Sequence, residues 1–415
     1  MDASGDASTF LLNRRTSIAT PIIPRMKRNS AFLLQCEPIP CVRIALIGLG
    51  KRGMKTLARY AQIPHAEICC IVDIDPLKLE KANETLEKTM RPHATAFCGR
   101  DAWKDACMLE SIDLVYICTE WNTHAEMAIY AMRHGKHVAV EVPAVTTIEE
   151  CHELVRIAEE TRRHCFMTEN CCYDVFALQT FEMHRRGFFG KITHCEGAYI
   201  HDLTPDAPDS NTPGHDATSW IERSCINHGG NPYPTHAIGP IAMLLGFHRH
   251  DRMHHLVSIT SDGAYENQLP LGRVNTTLIK TANGVSIMLQ LDVTTHRPYS
   301  RLQTICGTNG YAQKYPLVSV QGNGMPCLAG KEAESFMQQF STSEESRIWQ
   351  QGCDLGVPNA MNYTMDMRLI HCLHHGLPLD MDVYDAAEWS CLAELTQASA
   401  KQGGQPLHIP EFLPQ

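Results

Sequence analysis

From Val42 to Asn170 the apolar positions fall into two alternating arrangements. Short unbroken runs, RIALIG, AEICCIVD, SIDLVYICTE, KHVAVEVP and HCFMTEN, are separated by stretches such as KRGMKTLARYA, NTHAEMAIYAMRHG and TIEECHELVRIAEETRR, where apolar residues recur at helical spacing. An unbroken apolar run bounded by turn residues suits a strand buried on both faces, and helices between such strands cover those faces. The pattern predicts repeated strand–helix units and a parallel, doubly wound sheet over residues 41–170.

Beyond Asp174 the period changes. VFALQTFEMHRRG reads as a helix, and KITHCEGAYIHDL alternates like a strand of a half-exposed sheet. LTPDAPDSNTPGHDATSW is rich in Pro, Asp, Ser and Thr and reads as a long loop. RVNTTLIKT, GVSIMLQLDVTT and RLQTICGTNG are strand-like and joined by short Gly/Asn turns, which predicts an antiparallel sheet. DAAEWSCLAELTQASAKQGG reads as one final amphipathic helix stopped by two glycines. Residues 171–415 are thus expected to form an α+β domain, and residues 1–40 a flexible tail.

Composition narrows the partners. At 415 residues the chain has room for two cores, and its apolar runs all fall short of a membrane span. A formal charge of −10 gives no electrostatic reason to expect nucleic acid or anionic lipid, so the expected ligand is small. The 18 cysteines are scattered through apolar runs and read as free thiols. Neither Cys36 with Cys41 nor the HCLHH run at 371–375 has the spacing of a tetrahedral zinc site, so no metal is expected. Arg14 and Arg15 hint at a twin-arginine export signal, but the following IATPIIP is short and broken by proline. The expected location is the cytoplasm, with periplasmic export the alternative.

The candidate chemistry begins where RIALIGLGKRG joins the first strand to a helix. Gly48, Gly50 and Gly53 fit G-x-G-x-x-G: the first permits the tight turn, the second lets backbone approach a pyrophosphate, and the third lets helix meet strand. The second strand ends at Asp73, twenty residues past Gly53, where a carboxylate accepts the ribose hydroxyls of adenosine and repels a 2′-phosphate. NAD is therefore expected over NADP. Ligands of such folds lie outside the carboxyl ends of the strands, which singles out EWNTH, EVP and ENCCY as walls of a nicotinamide pocket. In GGNPYPTHAIGP, Tyr233 and His236 are held between Pro232 and Pro234 and run into an apolar helix. Read from the residues alone, they are equally a catalytic pair and a packing or capping feature.

The ordered motifs GLGKRG, TEWNTH, EVPA, ENCCYD, GNPYPTHAIGP, RPYSR and GTNGYAQKYP resemble glycoside hydrolase family 109, the NAD-dependent α-N-acetylgalactosaminidases of the Gfo/Idh/MocA superfamily. The resemblance covers roughly residues 42 to 412. It implies an N-terminal Rossmann domain and a C-terminal domain with a large open-faced sheet, whose exposed face often pairs with a second copy. It further implies a hydrolysis in which bound NAD takes a hydride from C3 of the sugar, a base removes the acidified C2 proton, the C1 substituent leaves, water adds and the hydride returns. Such a route needs no flanking pair of carboxylates. Carried over residue by residue, Tyr173 and His236 are the catalytic groups, acting at C2 and at the C3 hydroxyl, with their roles exchangeable. Gly48, Leu49, Gly50, Lys51, Arg52, Gly53, Asp73, Trp121, Asn122, Thr123, His124, Glu141, Val142 and Asn170 would hold the cofactor. Tyr199, Arg223, Tyr233, Pro234, Thr235, His236 and Tyr315 would face the sugar. In place of the family's usual glycine and leucine after the histidine stand Ala237 and Ile238, and Ile221 and Glu222 put the register of Arg223 in question.

Dehydrogenases of the superfamily carry a proton-shuttling lysine at the centre of Glu-x-Pro, whereas this chain has Val142, which cannot accept a proton. Two rival readings stand beside the glycosidase. A plain sugar dehydrogenase is disfavoured by Val142, and a non-catalytic NAD-binding regulator by the intact Tyr173, His236 and Tyr315.

Overall fold

The computed structural model describes residues 9–13, 16–19, 30–203, 220–261, 272–357 and 359–413. The long polar loop expected after Leu203 lies outside them at 204–219. Within the expected tail, Thr9–Asn13 and Thr16–Ala19 pair as a short antiparallel ladder. The chain divides into two compact units, one made of Arg25–Asp174, Glu344–Ser390 and Phe412–Gln415, the other of Met1–Pro24, Val175–Ser343 and Cys391–Glu411.

The first unit is built on six parallel strands, β1 Val42–Ile47, β2 Ala66–Asp73, β3 Thr95–Cys98, β4 Leu114–Ile117, β5 His137–Val140 and β6 Cys165–Met167. Their order is β3-β2-β1-β4-β5-β6, the doubly wound arrangement that opens a ligand crevice where the winding reverses beside β1. Helices α1 Lys51–Tyr60, α2 Pro76–Lys88, α3 Ala102–Met108, α4 Trp121–Arg133 and α5 Ile148–Thr161 connect them. β4 and β5 are buried at every residue, which is why their sequences are unbroken apolar runs. β3 is an edge strand with mostly exposed residues and leaves no such mark. Helix starts are set locally: Asp75 caps α2 through the Leu77 N–H with Pro76 behind it, and Thr147 and Glu150 form a reciprocal capping box on α5.

A returning segment, helices Glu344–Asp354, Ala360–His375 and Val383–Ser390, completes this unit. Its central helix carries Asp366, which pairs with Arg59 of α1 at 2.7 Å, both side chains being almost wholly buried. Tyr116 of β4 also donates to Asp366, at 3.3 Å, and Arg59 reaches back to Thr56. The following helix is fixed by Ser390, which accepts the Ala144 N–H at 3.1 Å, and by Tyr384, which donates to Glu159 at 2.8 Å. The expected single C-terminal helix is two, Val383–Ser390 and Leu392–Lys401, and the halves belong to different units. Apolar spacing runs unbroken through Cys391, so the pattern hides the change of partners.

The second unit holds a nine-stranded sheet of β7 Ile192–Ile200, β8 Met253–Thr260, β9 Asn275–Thr281, β10 Ser286–Asp292, β11 Ser300–Gly307, β12 Gly310–Gln313, β13 Ser319–Gly322, β14 Leu328–Ala329 and β15 Leu407–His408. The order is β14-β13-β12-β11-β7-β10-β9-β8-β15, antiparallel throughout except for β7 beside β10. Helices Thr235–Leu245 and Leu392–Lys401 cover one face. A side chain at Gly197 of β7 would lie 2.3 Å from the Ala237 carbonyl, and Ser258 of β8 donates its N–H to Ser399 at 2.9 Å. On the other face Ile259 and Leu278 remain 66% and 56% exposed.

All 18 cysteines are free, ten of them buried. Within the first unit, His137 and His164 sit side by side under β5 and β6, and the His164 N–H donates to His137 Nδ1 at 3.1 Å. Burial lowers the His137 pKa to about 3 and that of His164 to about 4, with nearby positive charge adding to the effect. The unfolded chain binds both protons below about pH 6.5, so the stability they contribute is complete above that value and is lost as the pH falls toward 4 and then 3. Each is expected to cost about 2 kcal/mol by pH 5. Thermal melts from pH 7 to 5 should show this loss, and a His137→Gln, His164→Gln double variant should show a visibly shallower decline over the same window.

Candidate active site

The glycine loop is shaped by close approaches. Gly48 sits at φ +90°, where an added side chain would meet the Cys118 carbonyl at 2.6 Å. Gly53 lies so near the Gly48 carbonyl that a Cβ would come within 1.9 Å of it. Gly50 differs: nothing stands within 4 Å of where its side chain would be. Two glycines therefore serve internal packing, and the middle one leaves open space before the start of α1. That helix begins with no side-chain cap and no acidic residue in its first turn, so its first N–H groups and positive dipole end are available to an anion. This is the cradle a pyrophosphate requires, and the residues fit the dinucleotide.

Asp73, at the end of β2, accepts the Leu49 N–H at 2.7 Å and the Asp75 N–H at 3.0 Å, with Lys78 at 3.5 Å. Its carboxylate thus shapes the loop and stands beside it. Arg52 of α1 donates to Glu141 at the end of β5 at 2.7 Å, joining the phosphate loop to the turn that carries Val142. Val142 is buried and precedes a cis bond to Pro143. Trp121, Asn122 and Thr123 open α4, and Thr123 shares a hydrogen bond with Thr119 at 2.7 Å. His124 is fully buried, with Nδ1 at 2.8 Å from the Pro143 carbonyl and Nε2 at 3.1 Å from the Thr119 carbonyl. Burial lowers its pKa against the pull of those two carbonyls. The ring is a strut between two loops. Lys51 is exposed at the first position of α1. Asn170 donates to Asn362 of the returning segment at 2.8 Å.

Tyr173 closes the 3-10 turn after β6 and is 1% exposed. Its hydroxyl donates to Asp380 at 3.1 Å, and Asp380 is gripped by Arg368 through both oxygens at 2.9 and 2.8 Å. Arg368 also reaches Glu344 at 3.1 Å. Burial first, and the Asp380 charge second, raise the Tyr173 pKa well above 10, while Arg368 opposes them. A phenol in need of help to act as a base thus has a carboxylate as its immediate partner. Nothing in the sequence near ENCCYD signals Asp380, which lies 207 residues away.

In the second unit the sugar-facing candidates form a chain of rings. Tyr199, Tyr233 and His236 meet pairwise with centroids 4.9, 5.4 and 4.7 Å apart. Tyr199 shares a hydrogen bond with His201 at 3.0 Å, His201 meets Tyr299 at 5.2 Å, and Tyr299 meets Tyr315 at 5.9 Å. The rings come from β7 and the residue just after it, the start of helix Thr235–Leu245, the residue before β11 and the segment after β12. The stiff GGNPYP entry is anchored by the Asn231 N–H on Thr396 at 2.8 Å and by Asn231 accepting the Tyr233 N–H at 3.0 Å. Pro234 caps the helix by position, its carbonyl accepting the N–H groups of Ala237 and Ile238. His236 is 8% exposed, and the Thr235 hydroxyl is buried without a hydrogen-bond partner. Arg223 lies on helix Trp220–Asn227 with its side chain exposed. His201 and Tyr299 extend this cluster beyond the candidate sugar-facing residues, Tyr299 from within the RPYSR motif.

Comparison with known proteins finds two family models in succession along the chain. Residues 42–169 match the model for the oxidoreductase family, NAD-binding Rossmann fold, and residues 173–414 match that for the glycosyl hydrolase 109 C-terminal domain. An α-N-acetylgalactosaminidase of Bacteroides fragilis is 49% identical over 394 residues, covering 90% of this chain and 92% of the relative. Glycosyl hydrolase family 109 protein 2 of Phocaeicola vulgatus is 46% identical over 405 residues, covering 93% and 98%. Among solved structures, a levoglucosan dehydrogenase in complex with NADH superposes with a TM-score of 0.70 at 18% identity, covering 89% of this chain and 99% of that one, a likeness of fold.

Because a Cβ at position 53 collides with backbone, Gly53→Ala must displace the loop. Overpacking of this kind costs about 1–3 kcal/mol, so NAD affinity is expected to fall roughly 5- to 150-fold. Fluorescence titration with NAD, alongside unchanged far-ultraviolet circular dichroism, checks this.

Proposed function

Because the chain belongs to the glycosyl hydrolase 109 family, we propose that it releases terminal α-linked N-acetylgalactosamine, or a close sugar, from glycoconjugates with NAD as its bound cofactor. The observation that carries this reading is Val142: in the turn after β5, where a dehydrogenase of this fold carries a proton shuttle, stands a buried side chain with no proton to exchange. Bound NAD supplies a hydride acceptor and donor for C3 of the sugar and ends each turnover in its starting oxidation state. His236, fixed by the helix start and two tyrosine rings, receives the proton of the C3 hydroxyl.

Tyr173 exchanges the proton at C2. At neutral pH it is a phenol, so it can accept that proton only by handing its own to Asp380, 3.1 Å away, whose orientation Arg368 fixes. The Arg52–Glu141 pair holds the phosphate loop and the Val142 turn in one arrangement while this happens. The 18 free cysteines support a reducing compartment, the cytoplasm, as its location, and no described helix is long and apolar enough to cross a membrane.

The chain also acts as a homodimer in this reading, through the uncovered face of the nine-stranded sheet. Ile259 pairs with Thr276, Val257 with Leu278, and Leu278 with Met288, so these side chains share that face. Two exposed apolar residues in one row of a sheet suit a self-complementary two-fold contact.

Turnover of a p-nitrophenyl α-N-acetylgalactosaminide in D2O tests the reaction. Nitrophenol should appear with deuterium at C2 of the sugar and without net NADH; net NADH would indicate a dehydrogenase, and neither product a binding protein. Tyr173→Phe should abolish the C2 label, and full label in that variant would remove Tyr173 from the reaction. Light scattering after size exclusion should give twice the 46.4 kDa chain mass, and Ile259→Glu with Leu278→Glu should return it to the single-chain value.

A further inference from the structure

The strand ends that carry EWNTH, EVP and ENCCY are tied to one another by two side chains. His124 joins the first to the second, with Nδ1 2.8 Å from the Pro143 carbonyl and Nε2 3.1 Å from that of Thr119. Ser390 joins the second to the third: its hydroxyl accepts the Ala144 N–H at 3.1 Å and donates to Met167 Sδ at 3.6 Å. Ala144 directly follows the EVP turn, and Met167 ends β6 two residues before ENCCY. Ser390 itself closes helix Val383–Ser390, 246 residues from Ala144 along the chain.

The position calls for a hydroxyl. Ser390 and Ala144 are 0% exposed and Met167 is 1% exposed, so the Ala144 N–H has to find its acceptor within the protein. The atom that accepts it also faces a thioether, which offers an acceptor and no donor. One oxygen bearing a rotatable proton meets both demands, whereas an alanine there strands the N–H. The ladder between β5 and β6 runs through Val140 beside Met167 to the Thr168 N–H on the Val140 carbonyl at 2.8 Å. Past that bond, the Ser390 hydroxyl carries the tie between the two strand ends.

Val142 sits in the middle of this turn with a side chain that bonds to nothing, so its neighbours set its place. The Glu141 N–H reaches the Ile117 carbonyl at 3.0 Å and the Glu141 carboxylate holds Arg52, while the Pro143 carbonyl meets His124 and the Ala144 N–H meets Ser390. Of these anchors Ser390 alone comes from the returning segment. We infer that Ser390 is a positioning residue for the nicotinamide half of the cofactor, setting the Val142 turn against the end of β6. Wholly buried, it acts only through Ala144 and Met167. The inference rests on the NAD-dependent reading for its ligand and adds the residue that fixes one side of the pocket.

The test is titration calorimetry of the full-length protein, freed of nucleotide, with NAD and with ADP-ribose, which lacks only the nicotinamide. Wild type, Ser390→Ala, Ser390→Cys and Ser390→Thr are compared, each with its melting temperature. Wild type should bind NAD more tightly than ADP-ribose. Ser390→Ala is expected to lose roughly 5- to 30-fold in NAD affinity while staying within about twofold for ADP-ribose. Ser390→Thr keeps the hydroxyl and adds a methyl group to a packed site, so its melting temperature should fall while its preference for NAD stays. Ser390→Cys, close in size but a weak donor and acceptor, should lie between, and it carries the comparison if Ser390→Ala does not fold. Preference for NAD thus follows the hydroxyl and not stability. An equal loss on both ligands, or a preference that tracks melting temperature across the variants, overturns the inference and leaves the NAD-dependent reading intact. Equal affinities of wild type for the two ligands also overturn it, and if wild type binds neither, the NAD-dependent reading fails with it.

Discussion

A guanidinium and a carboxylate taken out of water together hold the dinucleotide unit in one piece. Arg59 comes from the first helix of the chain's first strand–helix repeat and Asp366 from a helix some three hundred residues later, with Tyr116 and Thr56 meeting the remaining valences. Desolvation leaves the Asp366 pKa raised, with a small addition from Glu141, although the arginine pulls against it. Such a pair adds little net stability over a well-packed apolar substitute, but losing one partner strands the other, at a cost of about 3–5 kcal/mol. Its effect is on specificity of assembly: helix Ala360–His375 has one place to lie. That placement also delivers Asn362 to Asn170, and Arg368 with its grip on Asp380 to Tyr173. The candidate acid–base residue is thus oriented by a segment that the sequence sets far from it.

The second unit solves a different problem. A sheet of nine strands has two faces; Gly197 lets helix Thr235–Leu245 sit on one of them closer than any side chain would allow, and Gly230 lets the loop before that helix meet the backbone of helix Leu392–Lys401. Backbone proximity there is what brings the Tyr233 and His236 rings down onto Tyr199. The left-handed pair at Leu302 and Gln303 coincides with shifts in the pairing register between β11 and β7. Close packing and local strain, which elsewhere would be costs without return, are concentrated where rings and polar atoms converge.

Much of this was legible in the sequence, for reasons that can be named. Strands buried on both faces, such as LVYI and HVAV, must be apolar throughout, and the glycines of GLGKRG sit where backbone meets backbone. Edge strand β3 was not legible, because exposed residues carry no pattern. The single helix read across Cys391 was misjudged because periodicity reports that a face is buried and not against what. Asp380 and Asp366 were missed for a common reason. Each acquires its meaning from a partner that only the folded chain brings near.

The return of Glu344–Ser390 bears on how the molecule is made. A ribosome that has finished the sixth parallel strand has released a sheet whose Arg59 has no counter-charge and whose β5 turn lacks the hydroxyl of Ser390. The nucleotide-binding half therefore cannot be completed in the order in which it is synthesised; it waits, unfinished, until Ser390 has emerged, long after its last parallel strand.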